Sequence, residues 1–365
     1  MNQEILYTIA LPKIHSIGAI TAKNLISYCG SAENVFRATK KELLAIPSIG
    51  PSVVEQIKNQ DVLAEAEKEV NFIEKNNITA YLYSDKNYPH RLKQYVDSPL
   101  VLYWKGNAAL NHYRIVAIVG TRKPTPYGQK VCEDIVNGLF GYDVLIISGL
   151  AYGIDVTAHR KCIELGIPTI GVLGHGLAQI YPAAHRTTAQ QMVENGGLLT
   201  EYAHNAGPDR EHFPMRNRVI AGMCDALVVV ETASSGGSII SAEYANTYNK
   251  DVFAIPGRAN EPFSKGCNEL IKYNKANLAE NASDIARHMR WEELDYPKSI
   301  QSSLFVELND VEKIVYDILK DSDGMQVDRL TYETKLSSSI AASVLLEMEF
   351  KGVVKSLPGK KYMLV

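Results

Sequence analysis

Five short, almost purely apolar runs in the middle of the chain constrain its fold most strongly. Stretches with helical periodicity separate these runs, which comprise residues 115–119, 144–147, 169–173, 226–230 and 252–255. A strand carries a continuous apolar run when both of its faces are buried, as in the parallel sheets of α/β proteins. The alternation of strands and helices therefore predicts a doubly wound α/β sheet over residues 113–287.

The region before the sheet contains an internal repeat. Residues 1–75 have apolar positions at helical spacing, and Ser-Ile-Gly occurs in them twice, at 16–18 and 48–50. The repeat is similar to the helix-hairpin-helix motif, in which a glycine turn brings backbone N–H groups to a nucleic-acid phosphate. Serine stands at the first position of both copies and weakens that contact. A helical bundle used for packing or partner contact is therefore the alternative.

The remaining segments complete a multidomain organisation. Residues 76–112 are predicted to connect the helical domain to the sheet, and residues 288–309 are predicted to form a linker. Residues 310–365 have helices followed by a short hairpin, which is typical of a winged helix. Its expected recognition helix, residues 337–350, contains no lysine or arginine, and the whole segment has eight basic and nine acidic residues. These charges favour protein contact or regulation over duplex binding.

Composition excludes several classes of protein. The net charge is −3, so binding to an acidic polymer needs local basic patches. No apolar run reaches the roughly 18 residues of a membrane span, and the first residues lack the basic start of a secretory signal. The five cysteines are too widely spaced for a CxxC metal or redox motif. We therefore expect a cytoplasmic protein with no metal site, no cofactor and no membrane association.

The candidate site lies where the predicted strands end. Loops at these positions carry small residues whose backbone N–H groups, with helix N-termini, can hold phosphates. The candidate ligands are Gly120, Thr121, Arg122, Ser148, Gly149, Gly153, Asp155, Gly174, Gly176, Ser235, Gly236, Gly237 and Ser238. Arg122 directly follows a strand end and is the leading phosphate ligand. Signatures for dinucleotide binding, P-loop nucleotide hydrolysis and common hydrolases do not occur in the sequence.

Two closely spaced arginines form a further candidate feature. Arg216 and Arg218 flank Asn217 immediately before an apolar run, and they could clamp phosphates while Asn217 bonds a base or the backbone. The alternative is structural, with one arginine paired to a buried carboxylate such as Glu201 or Glu231.

Taken together, these motifs resemble the DNA-processing protein A (DprA/Smf) family. The resemblance spans the α/β region and rests on Val119–Arg122, Ser148–Asp155, Gly174–Gly176 with Tyr181-Pro182, Phe213–Gly222, Ser235–Ser238, Val252–Gly257 and Gly266–Ile271. It implies an extended Rossmann-like domain between a helical domain and a winged helix. It also implies a homodimeric, non-enzymatic protein that binds single-stranded DNA and loads the RecA recombinase during natural transformation.

The resemblance places further residues in the binding set. Asn268 lies in the last of these motifs and is carried over as a DNA-binding residue. Many family members have a basic residue just after Tyr-Pro, whereas Ala183 and Ala184 stand here. Either Arg186 substitutes from a nearby turn, or this wall of the site is weaker.

Two other functions remain possible at this stage. Rossmann-like nucleoside monophosphate phosphoribohydrolases carry P-G-G-x-G-T-x-x-E, and here Glu243 follows Ser235-Gly236-Gly237 at the corresponding offset, without the proline, third glycine and threonine. A protein-interaction scaffold is the other alternative, because residues 114–287 contain 16 basic and 17 acidic residues.

Overall fold

A computed structural model describes most of the chain. The described residues are 3–59, 61–292, 308–320, 322, 324–351, 353–357, 359 and 361–364. The chain divides into two compact units, residues 1–294 and residues 295–365. Most of the predicted linker, residues 293–307, lies outside the described residues. The first residues of that predicted linker belong to the folded unit instead, because α14 extends to His288 and Trp291 packs against the core, with the Arg114 guanidinium 5.6 Å from its ring centroid.

The elements of the first unit follow the expected alternation. Its helices are α1 Gln3–Ala10, α2 Ala19–Cys29, α3 Ala32–Arg37, α4 Lys40–Leu44, α5 Pro51–Asn59, α6 Asp61–Lys75, α7 His90–Lys93, α8 Pro126–Leu139, α9 Ile154–Leu165, α10 Arg186–Glu194, α11 His212–Met223, α12 Gly237–Thr247, α13 Lys265–Lys272 and α14 Ala282–His288. Its strands are β1 Thr79–Leu82, β2 Val101–Gly106, β3 Arg114–Val119, β4 Val144–Ser148, β5 Thr169–Val172, β6 Gly196–Thr200, β7 Ala226–Val229, β8 Asp251–Ala254 and β9 Asn277–Leu278.

These strands form one mixed sheet in the order β1-β2-β6-β5-β4-β3-β7-β8-β9. The strands from β6 to β9 are parallel, which confirms the doubly wound α/β fold, and the five predicted strands correspond to β3, β4, β5, β7 and β8. The structure differs from the sequence expectation at one edge. Residues 76–112, predicted as a connector, contribute β1 and β2, which extend the sheet as an antiparallel pair.

The central strands are buried on both faces, as their apolar runs require. In β3, Ile115, Ala117 and Val119 belong to the core on one face of the sheet, whereas Val116 and Ile118 belong to the core on the other face. Successive side chains of a strand point to opposite faces, so every residue of β3 needs an apolar neighbour. This double burial fixes the strand ends that build the site.

The helical domain at the start of the chain uses the repeated tripeptide twice in the same way. Ser16 and Ser48 adopt the left-handed conformation, with φ of 71° and 67°. Ile17 and Ile49 then enter the core of the domain, and α2 and α5 begin within three residues of the turn. The repeat therefore encodes a backbone turn that precedes a helix.

The second unit has winged-helix architecture. It contains α15 Asp310–Leu319, β10 Met325–Gln326, α16 Val327–Thr334, α17 Ser338–Phe350, β11 Val354–Leu357 and β12 Lys361–Leu364. The strands pair in the order β10-β12-β11. Lys351 donates to the fully buried carboxylate of Glu312 at 2.7 and 2.8 Å, which ties the end of α17 to the start of α15.

We expect Ser16→Gly and Ser48→Gly each to stabilise the protein by about 0.5–1 kcal/mol. A side chain costs about 1–2 kcal/mol in the left-handed region, and the extra freedom of glycine in the unfolded chain removes part of that gain. Urea unfolding measures the difference. Ser16→Ala and Ser48→Ala are the matched controls, because they keep the strained Cβ and should not stabilise. Equal stability of the glycine variants and the wild type would contradict the assignment of strain.

Candidate functional site

The carboxyl ends of the parallel strands surround a cleft of about 890 Å³. Loops after β3 and β7 and the start of α12 form its walls, and residues of α9 and α11 contribute to its floor. Of the residues predicted from the sequence, it brings together Gly120, Thr121, Arg122, Asp155, Arg216, Asn217, Ser235, Gly236, Gly237 and Ser238. The site therefore lies at the edge of the sheet where open α/β folds bind ligands.

A buried carboxylate holds the loop that carries Arg122. The Thr121 N–H donates to the Glu231 carbonyl at 2.6 Å. The Glu231 side chain accepts from the Thr125 N–H at 2.9 Å and from its hydroxyl at 2.8 Å. Both ends of the loop are thus fixed, while the Arg122 side chain remains exposed. Its guanidinium lies 5.6 Å from the ring centroid of Phe213, at the mouth of the cleft.

The N-terminus of α12 forms another part of the wall. Gly236 is its N-cap residue, and Gly237 and Ser238 form its first turn. The Ser238 hydroxyl donates to the Thr232 hydroxyl at 2.7 Å, which fixes this turn to the end of β7. The first N–H groups of a helix have no acceptor within the helix, and they carry partial positive charge. This wall is therefore suited to an anion.

The floor of the cleft contains a buried charged network. Arg216 is buried and donates through Nη1 to the carbonyl of Gly149, at 2.8 Å, and to that of Val172. Asp155 accepts from the Gly149 and Ala151 N–H groups at 3.1 and 3.4 Å. A Cβ on Gly149 would lie 2.6 Å from Nη2 of Arg216 and 2.7 Å from Oδ2 of Asp155. Glycine at this position leaves room for both charged groups.

Burial changes the pKa of both charged groups. It raises the pKa of Asp155, and the positive charge of Arg216 and the N–H donors of Ala151 and Gly149 oppose that increase. It lowers the pKa of Arg216 to about 10, although Asp155 acts in the opposite direction. Arg216 therefore remains a cation at neutral pH. The floor of the cleft carries a fixed positive charge next to a single acidic side chain.

Other predicted residues lie outside the cleft. Ser148 donates to the Ile118 carbonyl at 2.5 Å, and Gly174 and Gly176 are buried. Asn268 exchanges hydrogen bonds with the backbone of Gly257, at 3.2 and 3.0 Å. These residues shape the surrounding loops. Gly149 lies beneath the floor, Gly153 lines a neighbouring groove, and Arg186 lines a third depression.

The two arginines of the Arg-Asn-Arg segment do not form a joint clamp. Arg218 points away from Arg216 and pairs with Glu201 at 2.5 Å, and both side chains are largely buried. This is the structural role that the sequence left open. Asn217 lines the cleft, and its side-chain amide donates to the Gly237 carbonyl at 3.3 Å.

The structure adds lining residues that were not among the predicted ligands. Arg210 and Pro208 come from the loop after β6, and Phe213, Tyr181 and Phe263 supply aromatic surface. No sequence pattern points to Arg210, because the loop that carries it has no regular periodicity. The aromatic residues lay inside or beside recognised motifs, but their orientation depends on the fold.

Among the described residues, no three His, Cys, Asp or Glu side chains are arranged to hold a metal ion. In the same part of the chain, no helix is both long enough and apolar enough to cross a bilayer.

Family models match both the sheet and the C-terminal unit. The model for DNA recombination-mediator protein A matches residues 79–290, and the model for the DprA winged helix domain matches residues 306–360. The chain is 29% identical to the protein Smf of Synechocystis over 99% of each chain. It is 38% identical to the DNA processing protein DprA of Streptococcus pneumoniae, over 55% of this chain and 71% of the relative.

Solved structures show the same architecture. The crystal structure of DNA processing protein A from Streptococcus pneumoniae aligns with a TM-score of 0.68 and 30% identity, over 80% of this chain and 99% of that one. A structure of DNA processing protein A from Helicobacter pylori, solved to describe its single-stranded DNA binding mode, aligns with a TM-score of 0.54 and 29% identity. It covers 59% of this chain and 97% of that one.

We expect Arg216→Met to destabilise the protein by about 3–5 kcal/mol, because it leaves the buried Asp155 and two carbonyl groups without their cationic partner. Arg122→Met is the matched control and should change the free energy of unfolding by less than about 0.5 kcal/mol, since its side chain is exposed. Urea unfolding of both variants makes the comparison. Similar stability of the two variants would show that Arg216 does not support the floor.

Proposed function

Because the chain belongs to the DNA recombination-mediator protein A family, we propose that its cleft binds single-stranded DNA through the phosphate backbone. The observation that carries this proposal is the exposed guanidinium of Arg122, which lines the cleft together with the N-terminus of α12. The single-stranded DNA binding named for the Helicobacter pylori protein supports the choice of ligand.

The chemistry of the cleft suits backbone recognition. Arg122, Arg210 and Arg216 are its basic residues, and buried Asp155 is its acidic one. Cations and backbone N–H groups attract phosphates without reading base edges, so binding should be independent of sequence and sensitive to salt. The net charge of the region is close to zero, but the lining of the cleft is locally positive. That local excess favours a DNA-binding protein over a scaffold.

The position of the candidate catalytic carboxylate also favours binding over phosphoribohydrolase activity. Glu243 is exposed on α12 and is not among the residues that line the cleft. The lining of the cleft therefore lacks the carboxylate that the phosphoribohydrolase signature would place in it. The binding proposal therefore requires no catalytic residue.

The wider role in the proposal comes from family membership. We infer that the protein acts as a homodimer and loads the RecA recombinase onto the strand it holds during natural transformation. In a dimer, binding of the DNA to one cleft would raise its effective concentration at the second cleft. The dimer contact is proposed to lie after about residue 222. The expected cytoplasmic location stays a prediction.

We expect Arg122→Ala to weaken binding to an oligo-dT strand and to lower the slope of log affinity against log salt by about one, because one phosphate contact is lost. Fluorescence anisotropy at several salt concentrations measures both quantities. Arg287→Ala is the control, since that exposed arginine lies on α14 outside the cleft. An unchanged slope in a folded Arg122→Ala protein would remove this residue from the DNA path.

The winged helix is expected to contribute little to this binding. Helix α17, its expected recognition helix, contains two glutamates and no basic residue, so it would be repelled by a duplex with no counterion release in compensation. Deletion of residues 310–365 should leave the affinity for oligo-dT within about threefold, below the tenfold that corresponds to 1.4 kcal/mol. A larger loss, or tight duplex binding by the deleted segment, would contradict the charge argument.

A further inference from the structure

A second groove lies directly beside the cleft, and the two share Arg122. This groove has a volume of about 680 Å³. Its lining includes Arg122, Lys123, Tyr152, Gly153, Arg160 and His185. Three of these residues are cationic, and no carboxylate of the described residues lines the groove. Neither Lys123 nor Arg160 forms an ion pair with any carboxylate in the described ranges. A groove of this kind attracts phosphates.

Tyr152 gives the groove an exposed aromatic surface. Its side chain is 48% exposed although it lies in a tight turn between β4 and α9. Its ring meets the buried ring of His185 at a centroid distance of 4.9 Å and an angle of 71°. His185 is itself held by a 2.8 Å hydrogen bond from its Nδ1 to the Leu150 carbonyl. The tyrosine is therefore supported from the protein side and open toward solvent.

The turn that carries Tyr152 is fastened to the loop that carries Arg122. Gly153 has a φ of 82°, and a Cβ at this position would collide with the backbone of Thr121 and Arg122. The Ile154 N–H donates to the Thr121 carbonyl at 3.2 Å. The backbone positions that carry the aromatic ring and the guanidinium are thus held next to each other by direct contact.

We propose that the DNA strand continues from the cleft across Arg122 into this groove. There an unpaired nucleobase stacks on Tyr152, while Lys123 and Arg160 hold the adjacent phosphates. This inference rests on the proposed function and adds a contact that distinguishes single strands from duplexes. A base within a duplex is stacked on both faces and paired along one edge, so its face is not available to Tyr152. Base–aromatic stacking is tolerant of sequence, because every base has a π face.

The test compares oligo-dT with an abasic strand that has the same number of phosphates. Tyr152→Ala should weaken binding to oligo-dT roughly fivefold to a hundredfold and leave binding to the abasic strand unchanged. Tyr152→Phe should bind like the wild type, because stacking needs the ring and no hydrogen bond of the hydroxyl occurs in the described part of the chain. Tyr113→Ala is the matched control, since that tyrosine is 77% exposed next to the opposite end of β3.

A second measurement covers a Tyr152→Ala protein that fails to fold. A 2-aminopurine placed along the strand should be quenched by the wild type and by Tyr152→Phe, and less by Tyr152→Leu. Equal losses on both strands, unchanged binding by Tyr152→Ala, or equal affinity of the wild type for both strands would overturn the stacking role. If the wild type shows no salt-dependent binding to either strand, the proposed function itself fails, independently of Tyr152.

Discussion

The site depends on the hydrogen bonds and the charge of one buried group, the guanidinium of Arg216. It donates to the Gly149 and Val172 carbonyls and so joins the ends of β4 and β5 to α11. Its positive charge also interacts favourably with the negative charge of Asp155 at the start of α9. A buried charge is tolerated only with good partners, so these four elements have little freedom to move independently. The exposed residues of the cleft are therefore mounted on a stiff base.

The arginines in and around the cleft are of two kinds. Buried ones hold the surrounding elements together, and exposed ones are available to a ligand. Arg216 and Arg218 are buried, and they bond carbonyl groups and Glu201 respectively, whereas Arg122 and Arg210 are exposed. The buried cation still contributes a fixed positive potential, and the exposed ones can adapt to a flexible chain. This division explains how a region with slightly more acidic than basic residues can present a positive cleft.

The part of the fold that sequence predicts is the set of strands whose continuous apolar segments require burial on both faces. Five strands were visible for this reason, but β6 begins with Gly196-Gly197, and the short antiparallel strands β1 and β2 lacked a repeated pattern. Sequence alone does not distinguish the role of Arg216 from that of Arg218, because the distinction requires knowing that both lie on a helix. Residues two apart on a helix point in nearly opposite directions, and here one faces the cleft floor and the other Glu201. The loop glycines lie after the predicted strands, but tertiary packing decides which of them line the cleft.

The two ends of the sheet limit how copies of the chain can associate. One edge is the four-residue strand β1, which packs with the helical domain, and the other is β9, which contains only Asn277 and Leu278. Open strand edges invite pairing between molecules, and very short ones discourage it. The sheet thus terminates itself at both sides. Copies of this protein are therefore not expected to join edge to edge through this sheet, even where they lie close together.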